Sequence, residues 1–404
     1  MAGRRLALAV ADYPLPSQQP RPRVAFFLLY AMAASTFTAA IFAVLGSFIV
    51  DEFAMSRAQL GLIVAVNTVL AGLMSPLAGR FVDRVGGGSA LQVLLVLSAA
   101  AFFVTAVAPG FGLLLVAAAI GGAAQSLGNP GTNKVIAYRY PPDRRANVTG
   151  VKQSGVQFAI FFGGLSLPSL AEWLGWRWAV MAVVLATLAV TIWMQIARQG
   201  VSSGRGEEPS FDSRTFSGAV PWLTAYGLLL GFSGSASFFL PLFVEEELGQ
   251  SVRIGGLALA VAGLTAVFGR VIWARFAERG SRYRGTLAVL ALLAVLGNVA
   301  FMWADSTMVL LWLGAFLLGA GSSSWNSVGM LAVIDDSEAV DTGAASGWVL
   351  LGFLVGLGIG PPIFGSTFDA TASYMTMWVI AAGFAAAAFI VMVGWRLADR
   401  YRAA

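Results

Sequence analysis

The chain consists of long apolar runs separated by short polar segments. A helix needs about 20 apolar residues to cross the hydrocarbon core of a bilayer, and twelve runs have about this length. They lie near 24–50, 58–79, 89–108, 111–138, 147–170, 176–197, 220–244, 254–274, 286–304, 307–333, 342–366 and 372–396. The pattern therefore predicts about twelve transmembrane helices.

Composition agrees with a membrane environment. Of the 404 residues, 58% are hydrophobic and 11% are charged, whereas a soluble domain averages about 45–50% apolar and about 25% charged residues. A water-soluble fold of this length could not hide so much apolar surface, so lipid must cover part of it. The 47 glycines suit close contact between membrane helices.

Several kinds of chemistry are missing from the chain. It has no Cys and no His, which removes disulfides, thiolate metal ligands, cysteine nucleophiles and the usual general base. A nucleophile–base pair or a metal cluster cannot be assembled from what remains. We therefore predict that the protein is not an enzyme and uses neither a metal nor a cofactor.

Polar segments divide the chain. Residues 198–219 form a polar linker rich in Gly and Ser, and they separate a first half, 24–197, from a second half, 220–396. Residues 1–23 carry several Arg and Pro residues and are predicted to be a disordered cytosolic tail rather than a cleaved signal. Residues 397–404 form a second cytosolic tail.

The distribution of Lys and Arg predicts the orientation in the membrane. With a cytosolic N-terminus, three of the 25 basic residues fall outside (Arg57, Arg177 and Arg253) and three within spans (Lys134, Lys152 and Arg270), which leaves nineteen on the cytosolic side. The net charge of +5 is thus explained by cytosolic loops rather than by nucleic acid. We predict a multi-pass protein of the plasma (cytoplasmic) membrane with both termini cytosolic.

The two halves resemble each other. The segment Gly79–Arg84 reads GRFVDR and Ala274–Arg279 reads ARFAER, while Asn129 corresponds to Asn326. These matches lie about 195 to 197 positions apart and occur in the same order. An ordered series of this kind predicts two six-helix halves of the same topology, related by an axis along the membrane normal.

On these residues the chain resembles the major facilitator superfamily. The loop motif of that family reads Gly79-Arg80-Phe81-Val82-Asp83-Arg84-Val85-Gly86 between the second and third spans. A degenerate copy, with Glu278 and Arg279, lies between the eighth and ninth spans. The resemblance covers the whole chain after the tail. It implies an all-α membrane fold of two pseudo-symmetric six-helix bundles that rock about a site near the bilayer midplane.

The resemblance also implies a role for the loop motif. In the family such residues latch the halves together while the site faces outward. The candidate latch residues here are Arg80, Asp83, Arg84, Arg275, Glu278 and Arg279. The alternative interpretation is a charged loop that simply follows the rule of positive cytosolic loops.

Charged side chains within the spans are candidates for substrate binding, because burying charge in a membrane is costly. Lys152 lies about six residues into the fifth span, beside the polar residues Gln153 and Gln157. Its alternative role is to extend toward the membrane interface. Arg270 lies in the eighth span, where the resemblance to organic-anion carriers implies a carboxylate ligand. Its alternative role is a structural contact between helices.

Neutral polar side chains mark further candidates. Gln125, Asn129 and Asn133 are spaced by four residues in the fourth span and share one helix face. Trp325 and Asn326 belong to a polar block in the tenth span. These faces either line a cavity or form hydrogen bonds between helices.

The charged side chains within the spans are positive, and their sign predicts the charge of the substrate. No Asp or Glu lies deep in a span, so Lys152 and Arg270 lack an obvious counterion in the sequence. An unpaired buried cation favours an anionic ligand. We predict a secondary transporter of a small organic anion such as a carboxylate, acting as a monomer in the lipid bilayer. The alternative is an exporter of amphipathic drugs or metabolites, which the aromatic content of 12% would suit.

Overall fold

The computed structural model of the protein describes residues 22–140, 142–196, 218–278, 282–336 and 342–403. Nearly all of the predicted N-terminal tail and of the polar linker lies outside these residues. Within them the regular elements are helices: α1 Pro22–Val44, α2 Gly46–Phe53, α3 Arg57–Val85, α4 Gly87–Val107, α5 Phe111–Arg139, α6 Pro142–Leu174, α7 Trp176–Ile196, α8 Val220–Ser235, α9 Leu240–Glu246, α10 Val252–Glu278, α11 Tyr283–Met302, α12 Met308–Ala320, α13 Trp325–Asp336, α14 Thr342–Thr371 and α15 Tyr374–Ala403.

The helices form twelve segments that are long and apolar enough to cross a membrane. Two of these segments are composite. Helices α8 and α9, joined by a 3-10 turn, make the segment Val220–Glu246, and α12 with α13 makes Met308–Val333. The predicted all-α fold with about twelve transmembrane helices is therefore confirmed. Because the number of crossings is even, α1 begins and α15 ends on the same side of the bundle, here called the terminal side. The opposite side is the distal side.

The two halves meet along two seams, α3 against α14 and α6 against α10. Glycines make these seams possible. A Cβ atom on Gly61 would lie 2.3 Å from the backbone oxygen of Pro361, and one on Gly365 would lie 2.2 Å from that of Arg57. At the other seam, a Cβ atom on Gly164 would lie 2.2 Å from a backbone oxygen of α10. Only glycine permits backbones to approach this closely.

A polar network closes the distal side at the start of α3. Ser56 and Gln59 form a capping box at this helix end. The next two backbone N–H groups, of Arg57 and Ala58, donate to the carboxylate oxygens of Asp369 at 3.0 and 2.8 Å. Asp369 belongs to α14, so a side chain of the second half satisfies the helix terminus of the first.

Ion pairs reinforce the same closure. The Arg57 guanidinium pairs with the carboxylate of Glu246, which also accepts from the Tyr374 hydroxyl at 2.7 Å. At the second seam Arg253 pairs with Glu172. Both ion pairs join one half to the other, so the distal ends of the halves are held together in this conformation.

Candidate functional site

Lys152 lies at the centre of a polar cluster between α5 and α6. Lys152 is only 1% exposed. The ammonium donates to the side-chain oxygens of Asn129 at 3.3 Å, Thr132 at 2.9 Å and Asn133 at 2.5 Å. These three acceptors lie within four positions of one another on α5, so they share one helix face. All three are neutral, so the hydrogen bonds satisfy the donors of Lys152 without cancelling its charge.

The neighbouring Gln153 links the same helices. Its side-chain nitrogen donates to the Asn129 oxygen at 3.1 Å. Asn129 therefore accepts from both Lys152 and Gln153. The polar faces predicted for the fourth and fifth spans meet each other here, and lipid is kept away from them.

Arg270 brings the second half of the chain to this cluster. Its Nη1 atom donates to the backbone oxygen of Gln153 at 3.3 Å, across the seam between α6 and α10. Its Nε atom donates to the backbone oxygen of Ser323, between α12 and α13, at 3.2 Å. The side chain is half-buried. An arginine has five N–H donors, so three of them have no partner among the described residues.

Two glutamines extend the cluster toward the distal side. Gln125 and Gln157 each lie one helical turn beyond a member of the bonded pair Asn129–Gln153. Gln157 is 3% exposed. The side-chain oxygens of both glutamines are buried and have no hydrogen-bond partner in the part of the chain that the structure describes. Such an atom is costly to bury alone, so these oxygens are acceptors open to a ligand or to water.

The remaining binding candidates are Trp325 and Asn326. Trp325 is 1% exposed and packs against the rings of Tyr226 and Phe353, with centroid separations of 5.7 and 5.4 Å. It belongs to the apolar core of the second half. Asn326 is half-buried and has no side-chain hydrogen bond among the described residues. Hydrogen bonds therefore link four of the candidates, Lys152, Asn129, Gln153 and Arg270, and Gln125 and Gln157 lie one turn away. Among the described residues, no side-chain hydrogen bond links Trp325 or Asn326 to them.

Two members of the cluster were not among the predicted binding residues. Thr132 and Asn133 supply the two shortest hydrogen bonds to Lys152. Asn133 was placed on the polar face of the fourth span, but it was not assigned to binding. Thr132 lies three positions after Asn129, the other spacing that brings helical residues to one face. Threonine is common in membrane helices, so its presence alone gave no signal.

The predicted latch residues lie at the terminal side. Asp83 pairs with Lys134 at 2.6 Å, within the first half of the chain. Arg80, Arg84, Arg275 and Glu278 are exposed. Arg279 lies outside the described residues. In this conformation the described polar contact of Asp83 is therefore internal to one half, while the distal ends are joined by Arg57, Glu246 and Asp369.

The described residues contain no cluster of acidic side chains suited to a metal ion. The chemistry available at the cluster is therefore that of two cations, several amides and a hydroxyl. Such a set can bind an anion by charge and can orient it by hydrogen bonds.

Comparison with known proteins places the whole chain in context. Residues 26–337 and 222–403 match the family model described as Major Facilitator Superfamily. The hexuronate transporter of Bacillus subtilis (strain 168) is 24% identical, over 92% of this chain and 93% of that protein. The Mycobacterium tuberculosis protein named "Probable nitrate/nitrite transporter NarK2" is 26% identical, over 79% and 82%. A crystal structure of the nucleoside transporter NupG has a TM-score of 0.77 at 13% identity, and the match covers 92% of this chain and 99% of that chain.

Proposed function

Because the chain belongs to the Major Facilitator Superfamily, we propose that it is a secondary transporter of a small organic anion, such as a carboxylate. The observation that carries this proposal is the uncompensated charge of the cluster. Among the residues that the structure describes, Lys152 and Arg270 donate only to neutral oxygens. Two buried or half-buried cations without a carboxylate partner raise the local potential, and an anionic ligand would lower the free energy of the site.

The two cations have different roles in this proposal. All three N–H donors of Lys152 have acceptors at bonding distance, so its ammonium contributes mainly a fixed positive charge. Arg270 keeps three N–H donors for a ligand. A guanidinium presents its donors in a planar fork that matches a carboxylate. Arg270 is thus the residue proposed to contact the anion directly.

Two of the sequence relatives named above support a negatively charged substrate. Hexuronate, nitrate and nitrite are all anions. Their sequence identities are too low to transfer a particular substrate to this chain. The shared feature that we carry over is the negative charge.

Alternating access is the proposed mechanism. Distal closure by Asp369, Glu246 and Arg57 leaves the terminal side as the route to the cluster in this conformation. The excess of Lys and Arg supports a cytosolic position for the terminal side, and we place the protein in the plasma membrane as part of this proposal. In the opposite conformation the distal contacts would separate, and Asp83 with the neighbouring arginines would hold the terminal ends together.

The proposal is tested by ligand-dependent thermal stability of the detergent-purified protein. A ligand that binds the folded state raises the apparent melting temperature by mass action. We expect stabilisation by D-glucuronate and by other carboxylates, and none by tetraphenylphosphonium or glucose. Arg270→Lys removes the planar fork and Lys152→Gln removes the charge. Each should weaken carboxylate binding at least about tenfold, which corresponds to about 1.4 kcal/mol.

Matched controls are available in the same chain. Arg396→Lys makes the same change at an exposed position of α15, and Lys134→Gln changes a lysine that pairs with Asp83. Both should leave carboxylate affinity unchanged. Stabilisation by the lipophilic cation alone would instead support the drug exporter. Undiminished carboxylate binding in both Arg270→Lys and Lys152→Gln would contradict the proposed site.

A further inference from the structure

On the distal side of Lys152 and Arg270, the polar cluster is followed by a layer of neutral polar side chains. Helices α5 and α6 run antiparallel, and Asn129 is bonded to Gln153. Moving four residues toward the distal side reaches Gln125 on α5 and Gln157 on α6. Four residues of helix rise by about 6 Å and return to the same face. The two glutamines therefore form the next layer of the cluster, about 6 Å from the layer that contains Gln153.

The layer of Gln125 and Gln157 offers hydrogen-bond acceptors. The side-chain oxygens of Gln125 and Gln157 are both buried, and neither has a hydrogen-bond partner within the described ranges. The nearest strong donor, Lys152, already has three acceptors on α5. Gly263 of the second half packs against the backbone of Gln157, where an added Cβ would lie 3.1 Å from the backbone oxygen, so this glycine contributes no side-chain donor. Among the described residues the two glutamine oxygens therefore have no donor, and a hydroxyl group of a bound ligand would supply one.

We propose that the transported anion is a hydroxylated carboxylate of sugar-acid type, whose carboxylate binds Arg270 and whose hydroxyl groups donate to Gln125 and Gln157. This inference rests on the proposed function. The Arg270 guanidinium contacts the backbone at Gln153, and the glutamine layer begins one turn farther along α6. A sugar acid carries both kinds of group, a carboxylate for Arg270 and hydroxyl groups that can donate to the glutamine oxygens.

The chemistry of the layer discriminates between classes of anion. A fully deprotonated oxyanion such as nitrate carries acceptors only and would give neither glutamine oxygen a donor. An unsubstituted hydrocarbon carboxylate would place apolar carbon against them. Both mismatches carry the cost of a buried acceptor without a partner. A hydroxyl group removes that cost, so its presence should determine which carboxylate binds best.

The experiment compares two ring carboxylates on the purified full-length protein. D-glucuronate and cyclohexanecarboxylate both have a six-membered ring and one carboxylate, but only the first has hydroxyl groups. We expect the unmodified protein to bind D-glucuronate at least about tenfold more tightly, as judged by ligand-dependent melting. Gln157→Leu and Gln125→Leu should each reduce or abolish this ratio, mainly by weakening D-glucuronate binding. Gln195→Leu, at an exposed position of α7, is the matched control and should preserve the ratio.

The outcomes separate the two proposals. Equal binding of both carboxylates, still sensitive to Arg270→Lys, would overturn the hydroxylated substrate and leave the anion transporter standing. If both Gln157→Leu and Gln125→Leu kept the preference for D-glucuronate over cyclohexanecarboxylate, the hydroxylated substrate would likewise be overturned and the anion transporter would stand. Absence of binding by either carboxylate would overturn both proposals. The comparison on the unmodified protein requires no variant to fold, so the inference can be refuted even where a leucine variant is unstable.

Discussion

Asp369→Ala should weaken the distal closure between the two halves. The carboxylate of Asp369 in α14 accepts from two backbone N–H groups at the start of α3. Alanine removes both acceptors and also removes a negative charge from the positive end of a helix dipole. The change does not touch the ion pair between Arg57 and Glu246, so the distal contact is weakened rather than abolished.

The structure sets the size of the effect. Loss of a helix cap costs about 1 kcal/mol, and loss of a favourable charge at a helix end costs about 0.3–1 kcal/mol. The contact is solvent-exposed, so the larger values measured for buried charged hydrogen bonds do not apply. A total of about 1–2 kcal/mol would raise the population of the distally open form about 5- to 30-fold.

The chain is suited to a labelling assay because it contains no cysteine. Ser47 is 3% exposed. Its neighbour Gly46 faces Leu242 of the second half, where an added Cβ would lie 2.8 Å from the leucine side chain. Ser47→Cys therefore places a reporter of nearly the same size inside the distal closure. Adding Asp369→Ala should accelerate its reaction with a soluble thiol reagent about 5- to 30-fold, in proportion to the open population.

The control for this experiment is Asp305→Ala, which removes an exposed aspartate from the same side. It should leave the labelling rate of the Ser47→Cys protein unchanged. Equal rates in the Asp369→Ala and Asp305→Ala proteins would show that the carboxylate of Asp369 does not hold the distal side closed. The same result would refute the magnitude derived from helix capping.

Three further predictions test other parts of the molecule. Gly365→Leu should prevent close contact at the seam and accelerate Ser47→Cys labelling more than any polar substitution, whereas Gly383→Leu, where an added Cβ meets nothing within 4 Å, should not. Trp325→Ala should cost about 3–5 kcal/mol of stability without changing the carboxylate affinity of the folded protein; a selective loss of affinity would return this residue to the site. Lys134→Gln should cost at most about 1 kcal/mol in thermal unfolding, because its ion pair is partly exposed; a larger loss would show a deeper structural role.

The membrane-spanning part of the fold was predictable from the sequence because apolar length decides whether a segment can cross a bilayer. The twelve predicted spans correspond to the twelve apolar segments of the structure. Their ends were less predictable. The apolar run near 147–170 lies inside the longer helix α6, Pro142–Leu174. A helix forms its backbone hydrogen bonds within itself, so it can continue beyond the apolar run into polar sequence. Hydropathy does not indicate where such a helix ends.

The contact between α5 and α6 was partly predictable. The spacing of Gln125, Asn129 and Asn133 predicted one polar face, and membrane solvation requires such a face to meet protein or water. The identity of its partner depended on how α6 is rotated, which the sequence alone leaves open. The structure turns Lys152 and Gln153 toward this face.

Other contacts could not be predicted from the sequence. Arg270 donates to backbone oxygens of Gln153 and Ser323, and every residue carries such an oxygen. Trp325 and Asn326 are adjacent in a polar block, yet adjacent helical residues point in directions about 100° apart. Apolar packing of the second half determines which of them is buried, and this depends on residues distant in the sequence.

The glycine contacts at the two seams have a mechanical consequence. Two points of backbone contact, near Gly61 and near Gly164, define a line about which one half can turn against the other. Gln153 lies eleven residues from Gly164 along α6, a lever arm of about 16 Å. A rigid-body rotation of about 15° would displace it by about 4 Å, more than the length of its hydrogen bond with Arg270. The arginine that we propose as the anion ligand therefore lies where a small rotation about this line greatly changes its contact with α6, so release of the proposed anion and opening of the distal side can be parts of one motion.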